Sequence, residues 1–292
     1  MTTHRLTTGH VSTVLTLPAE LELTAARAAS RALPGGWSLE PMSTGDPGVR
    51  AVEISIGAPR VTVDRQTVRV RLPQPVADSD TLAYITYTAL ERARQQQHKV
   101  TLHATALHAP DGRAVLLLGA KGAGKTATAL ALAARGWVHA GDDLVVLGDD
   151  GGISVWPGKP TAAVRIPGRP LAPKPQHALD PFAPGPAPLG RIVRVAVHPA
   201  LAAGALTPAS PLSVNEQLRL HENLARYISG LPTPLTGVTG VPYGPVWPLD
   251  TPALARWRSH LITTLADCRF DYLHAPDPET AADLLTKETE TG

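Results

Sequence analysis

The sequence predicts an α/β fold built around a strand, a glycine-rich loop and a helix, with an α+β segment ahead of it. Three observations carry this. Between Ala114 and Arg135 an apolar run, a glycine-rich octet and an Ala/Leu-rich run follow one another. The first hundred residues combine period-two alternation with helical periodicity. An apolar fraction of 43% over 292 residues suffices for a buried core in one large domain or two modest ones. The expected organisation is an N-terminal α+β domain over 1–98 and a loop-containing α/β domain over 99–292.

The elements follow in order. Pro18 to Leu33 reads as a helix stopped by Pro34-Gly35-Gly36. Val52 to Ile56 and Val61 to Leu72 alternate as half-buried strands do, the second turning near Asp64 to Gln66. Asp78, Ser79 and Asp80 can cap a helix to about Gln97 that buries Leu82, Ile85 and Leu90. Val100 to Leu107 and Arg113 to Leu118 read as two strands joined by Pro110-Asp111-Gly112. The helix after the glycine octet runs from Lys125 to about Arg135, where Gly136 stops it. Leu144 to Leu147 form a short strand before a turn at Asp149 to Gly152. Pro167 to Gly190 is too proline-rich for a helix and a poor central strand, and reads as a linker or lid. Arg191 to Val197 is a strand, Ser213-Val214-Asn215-Glu216 a capping box opening a helix to about Ser229, and Thr251-Pro252 the start of another to Ala266. Phe270 to His274 closes the strands, and Asp277-Pro278 opens a last short helix.

Composition narrows the function. A net charge of +2 with no Lys/Arg run argues against a nucleic-acid or membrane surface. A single cysteine, Cys268, rules out a disulfide within the chain. No signal-type N-terminus or long apolar span is seen, so a cytoplasmic setting is expected. Homo-oligomer formation stays open.

The chemistry concentrates in Gly119-Ala120-Lys121-Gly122-Ala123-Gly124-Lys125-Thr126, which matches the P-loop at every fixed position. Glycines let backbone N–H groups wrap a polyphosphate, and the helix N-terminus adds positive charge. Lys125 would reach the β- and γ-phosphates of ATP or GTP, and Thr126 would place its hydroxyl on Mg²⁺. The alternative is a glycine-rich turn that binds nothing. Asp142 and Asp143 precede the next apolar run; one can serve the metal and one can accept the proton of an attacking hydroxyl, or both can be a polar turn. His103 stands on the preceding strand, where a histidine is commonly structural.

Leu102 to Leu147, about a sixth of the chain, resembles the HPr kinase/phosphorylase superfamily, especially its shorter HPr-kinase-related members. The matching features are His-Ala-Thr-Ala-Leu at 103–107, the P-loop, Ala-Arg-Gly at 134–136 and Gly-Asp-Asp at 141–143. The resemblance implies a phosphoenolpyruvate-carboxykinase-like core with a mixed sheet. It implies that Lys125 binds the transferring phosphate and that His103 lies near the γ-phosphate. Asp142 and Asp143 would be the acidic pair, one the base and one near the metal; Asp143 is taken with Thr126 as the metal residue. Lys121 and Ala123 depart from the serine-bearing loop of HPr kinases, and no Arg/Gly-rich signature follows the acidic pair. HPr is thus disfavoured as substrate, and the implied acceptor is a hydroxyl on a small metabolite or a ribosomally made peptide, as in natural-product biosynthesis. Rival readings are a nucleotide-binding regulator and a true HPr serine kinase.

Arg165 in the run Thr161 to Ile166 could neutralise phosphate charge or be an exposed edge residue, and Lys159 is similar but weaker. Glu222, Asn223 and Arg226 fit a solvated helix face, Cys268 a small buried residue, and His108 an exposed turn.

Overall fold

The computed structural model describes residues 1–8, 11–22, 38–42, 51–64, 67–77, 81–149, 151–164, 174–228 and 249–291. The caps at Asp78, Ser79 and Asp80, most of the helix read at Pro18 to Leu33, and Arg165 lie outside these residues. The fold is mixed α/β. The chain divides into one unit of Met1–His98 with Ala225–Arg256, and another of Lys99–Leu224 with Trp257–Gly292.

The first unit holds β1 (Thr2–Thr8), β2 (Val11–Leu17), β3 (Ser38–Pro41), β4 (Ala51–Ile56), β5 (Arg60–Asp64) and β6 (Thr67–Leu72), with α1 (Gln74–Ala77) and α2 (Thr81–Gln95). Its sheet order is β3-β1-β2-β4-β6-β5. The hairpin β1–β2, absent from the sequence reading, alternates cleanly: Val11, Thr13, Leu15 and Leu17 point inward. β5 and β6 pair antiparallel across the turn read near Asp64 to Gln66. Leu82 and Leu90 of α2 are buried as expected.

The second unit holds β7 (Lys99–Leu102), β8 (Thr105–His108), β9 (Ala114–Leu118), α3 (Lys125–Ala133), β10 (Val138–Gly141), β11 (Val145–Asp149), β12 (Ile153–Trp156), β13 (Thr161–Ala163), β14 (Gln176–Ala178), β15 (Ala187–Val197), β16 (Ala205–Pro208), β17 (Phe270–Ala275) and α6 (Pro278–Thr291), with α4 (Val214–Ala225) up to Leu224 and α5 (Pro252–Ala266) from Trp257 onward. Nine strands form one sheet with the path β10-β8-β9-β15-β12-β11-β7; β17 also pairs β15, and β16 pairs β17. β9 is apolar at every position because both its faces are covered. On one side Leu116, Leu118, Ile192 and Phe270 pack with Leu220, Leu224, Leu261 and Leu265 of α4 and α5. On the other, Leu117, Val193, Val195 and Leu273 pack with Ala129 and Leu132 of α3 and Leu285 of α6.

Two expectations are corrected here. Val100 to Leu107 is not one strand: β7 pairs β11 whereas β8 pairs β9, so the chain crosses between distant parts of the sheet at residues 103–104. Ala187 to Gly190, read as the end of a linker or lid, is the beginning of the long strand β15. Its proline is tolerated because Ala187 and Pro188 pair with β12, whereas Ile192 to Arg194, flanked by β9 and β17, contain none.

The topology gathers the candidate residues at one sheet edge. β8 runs antiparallel to β9, and β10 antiparallel to β8. β10 therefore ends where β9 ends, and β8 begins there. β15 is parallel to β9 and ends on the same side. The start of β8, the loop after β9, the turn after β10 and the end of β15 all meet at that edge.

Candidate functional site

The glycine loop leaves β9 and turns into α3. Gly124 is the helix N-cap at φ 94, in the left-handed region. A Cβ there would stand 2.6 Å from Val197 Cβ, so backbone and neighbour both exclude a larger residue. No side chain caps α3, which leaves its first-turn N–H groups for an anion. The Lys125 ammonium donates to the carbonyls of Gly119 at 2.7 Å and Ala120 at 3.3 Å. β15 backs the loop: the Val197 N–H donates to the Ala123 carbonyl at 2.9 Å.

The acidic pair is split between two environments. Asp142, 5% exposed, accepts from the Thr105 hydroxyl at 2.6 Å and from the Thr126 hydroxyl at 2.9 and 3.1 Å. Asp143 turns the other way, its Oδ1 3.0 Å from His103 Nδ1. This corrects the pairing of Asp143 with Thr126: the neighbour of Thr126 is Asp142. The physical reason is the backbone at 143, which takes φ 68 and swings the second carboxylate toward His103, in the crossover between β7 and β8. The segment after β12 clamps the turn. Asp142 N–H donates to the Lys159 carbonyl at 3.2 Å, Lys159 N–H to the Leu144 carbonyl at 2.9 Å, and Gly158 N–H to the Ala140 carbonyl at 2.7 Å. A Cβ on Gly158 would fall 2.1 Å from the Leu144 oxygen, so only glycine fits this approach.

Burial pushes the Lys125 ammonium below its ordinary pKa; Asp143 and Asp142 pull it back up, and the charge of Arg194 lowers it further. At Asp143 burial alone would raise the carboxyl. The hydrogen bond and charge of His103, with the charges of Lys159 and Lys125, outweigh it and hold the group below the usual carboxylate value. His139, 1% exposed on β10, is lowered by burial against the opposing charge of Asp142.

The structure brings Lys125, Thr126, Asp142, Asp143 and His103 into one site, together with the loop residues 119–124. It adds residues that local patterns did not single out. Thr105 binds Asp142. Lys159, for which the sequence pattern gives only a weak signal, is 3% exposed and acts on Asp143 by charge. Arg194 of β15 ion-pairs with Glu216 of α4. The detectable signal for Arg194 was a charge inside the apolar run Ile192 to Val197. The sequence pattern makes Glu216 the second half of a capping box. Ser213 does accept from the Glu216 N–H at 3.3 Å, but the Glu216 carboxylate serves Arg194 and Arg219. Glu222 is exposed, Asn223 donates to the Arg219 carbonyl, and Cys268 is half-buried, its thiol raised by burial. His108 is not an exposed turn residue: it ends β8, half-buried, with Nε2 buried and unpartnered.

No family model matches the chain, and no curated protein matches it. A solved structure, the HPr(Ser) kinase/phosphatase from Coxiella burnetii, aligns with 65% of this chain and 97% of its own, at 14% identity and a TM-score of 0.31. A likeness that slight carries no argument about activity, which rests on the site itself. No described helix is long and apolar enough to cross a membrane, and no described cluster of His, Cys, Asp or Glu forms a metal site by itself.

Proposed function

We propose that the chain is an ATP-dependent kinase that moves the γ-phosphoryl group to a hydroxyl of a small molecule or peptide. The observation that carries this is the sorting of two adjacent carboxylates: Asp142 onto the P-loop threonine, Asp143 onto a histidine. A module that only binds nucleotide needs the first and has no use for the second.

The donor set suits Mg²⁺. The Thr126 hydroxyl and the Asp142 carboxylate are hard oxygen donors already side by side, and would hold the ion that travels with the nucleotide. When bound, that ion supplies charge neutralisation at the phosphates. The first-turn N–H groups of α3 bind the polyphosphate, and Lys125 leaves its own loop carbonyls for the β- and γ-oxygens. The acceptor hydroxyl donates to Asp143. Its oxygen forms the new bond to phosphorus as the bond to the leaving ADP breaks, and its proton passes to Asp143. A carboxylate held acidic is a weak base, which suits a loose transition state where the proton moves late. His103 orients Asp143. GTP fits the same loop, and the partner implied is the acceptor alone.

The test separates binding from chemistry. Nucleotide affinity with Mg²⁺, and phosphoryl transfer in a mass-shift screen of candidate alcohols and peptides, are measured for wild type, Lys125→Ala, Asp142→Asn and Asp143→Asn. Lys125→Ala is expected to lose transfer. Asp142→Asn is expected to weaken Mg-nucleotide binding, and Asp143→Asn to bind near normally while transfer falls about a hundredfold or more. Indistinguishable Asn variants, or full transfer by folded Lys125→Ala, would overturn the proposal.

A further inference from the structure

Arg194 has no part in the mechanism above, yet its position is unusual. On β15 it is the register partner of Leu118, the last residue before the glycine loop. The residues that follow it touch that loop: the Val195 carbonyl lies 2.9 Å from where a Gly119 Cβ would stand, and Val197 bonds Ala123. Ile192, two residues back on the same face, is buried in the apolar core, so a charged side chain at 194 is costly unless it is used.

Its surroundings are built. Arg194 is 17% exposed, and one end of its guanidinium meets Glu216, itself 2% exposed. Glu216 also accepts from Arg219 at 3.1 Å and from the Tyr272 hydroxyl at 3.4 Å, so two further groups fix the carboxylate that holds Arg194. Among the described residues the buried Arg194 Nε has no partner, and the guanidinium bonds Glu216. A planar fork fastened at one end, with donors to spare, stands beside the strand end that backs the glycine loop, near enough for its charge to act on Lys125. An anion between them would satisfy both.

We infer that Arg194 is a triphosphate-reading residue: its free guanidinium edge binds the γ-phosphoryl oxygens, with Glu216 as the positioning residue that aims it. This rests on the phosphate-site reading, and extends it by assigning discrimination between triphosphate and diphosphate to one side chain. The loop and Lys125 serve both nucleotides; Arg194 serves the third phosphate, as an arginine supplied in cis does in other phosphoryl-transfer sites.

Binding alone tests this, with no acceptor needed. Affinities for MgADP and for the non-hydrolysable triphosphate AMPPNP with Mg²⁺ are measured by calorimetry on wild type, Lys125→Ala, Arg194→Met and Arg194→Gln. Arg194→Gln keeps a donor for Glu216 and removes the charge, so a folding failure of the Met variant does not end the test. Both Arg194 variants are expected to lose AMPPNP affinity about tenfold or more while MgADP affinity stays within about twofold. Equal loss for the two nucleotides, or no loss for either, overturns the assignment and leaves Arg194 a structural ion pair. Failure of wild type to bind either nucleotide, or of Lys125→Ala to weaken both, overturns the phosphate-site reading instead.

Discussion

The hydrogen bond from Thr105 to Asp142 offers a test that depends on no substrate. Thr105 is fully buried, and its hydroxyl meets the Asp142 carboxylate at 2.6 Å, the length of a charge-assisted bond. Thr105→Val keeps the shape, so no cavity opens, and Asp142 keeps the Thr126 hydroxyl, so the charge is not orphaned. The loss is one donor to an ionised group, a net of about 2 kcal/mol. In a unit of this size that lowers Tm by roughly 4–8 °C. The assay is urea unfolding followed by amide exchange in β8 and β9, so that the transition measured belongs to this unit. Thr105→Ser, which retains the donor, is expected to lose well under half as much. If Thr105→Val changes stability by less than about 0.5 kcal/mol, the usual range for an inconsequential surface change, Asp142 is not held as described.

Further outcomes follow from the charges. Lys125 is held by burial below the 10.5 of a free lysine. Between that lowered value and 10.5 the folded, nucleotide-free protein has released a proton that the unfolded chain still holds, so its stability rises with pH in this window. Bound phosphate restores the charge, so nucleotide binding there takes up a proton. Calorimetry in two buffers of different ionisation enthalpy reads this directly; proton release on binding contradicts it. Asp143 lies below 3.8, so its contribution is present above that value and is lost as pH falls through its folded pKa. Thermal unfolding of wild type and Asp143→Asn should differ near neutrality and converge in acid. Asp271, 0% exposed, accepts from Arg191 at 2.5 Å and Arg269 at 3.2 Å, and Asp271→Asn is expected to cost about 3–5 kcal/mol by stranding buried Arg191. Arg135, paired at the surface with Glu279 at 2.8 Å and Asp283 at 2.6 Å, is expected to cost at most about 1 kcal/mol as Ala. Equal costs in chemical denaturation would refute that ranking.

What the sequence made legible was local. The glycine octet announces its own turn because each glycine answers a backbone demand, and the all-apolar β9 announces burial on two faces. Thr251-Pro252 and Asp277-Pro278 open α5 and α6 as read, and the structure adds that Thr251 and Asp277 cap them through their side chains, accepting from the Leu254 and Thr280 N–H groups. Pairings that join distant segments were not legible. Nothing near Thr105 says that Asp142 will reach it from thirty-seven residues away. The break between β7 and β8 carries neither Gly nor Pro, because the chain there crosses the sheet without reversing. Prolines before Gly190 disguised β15, since proline is excluded only where both flanks are paired. Glu216 satisfied a local capping pattern and serves elsewhere: a helix start and a half-buried arginine called for the same carboxylate, and the arginine took it.

The backbone at residue 143 has a consequence for how this site can vary. At φ 68 it admits glycine freely, asparagine and aspartate with little strain, and other residues at a cost of about 1–3 kcal/mol. The proposed chemistry asks for a carboxylate. Those two filters overlap in a single amino acid. Glutamate carries the acid but resists the turn; asparagine and glycine take the turn but lack the acid. An alanine replacement there would blend a conformational penalty with a chemical one, and only the Asp-to-Asn change isolates the chemistry. A saturation library at this codon should therefore yield a ranking for folding led by Gly, Asn and Asp, and a ranking for activity with one member.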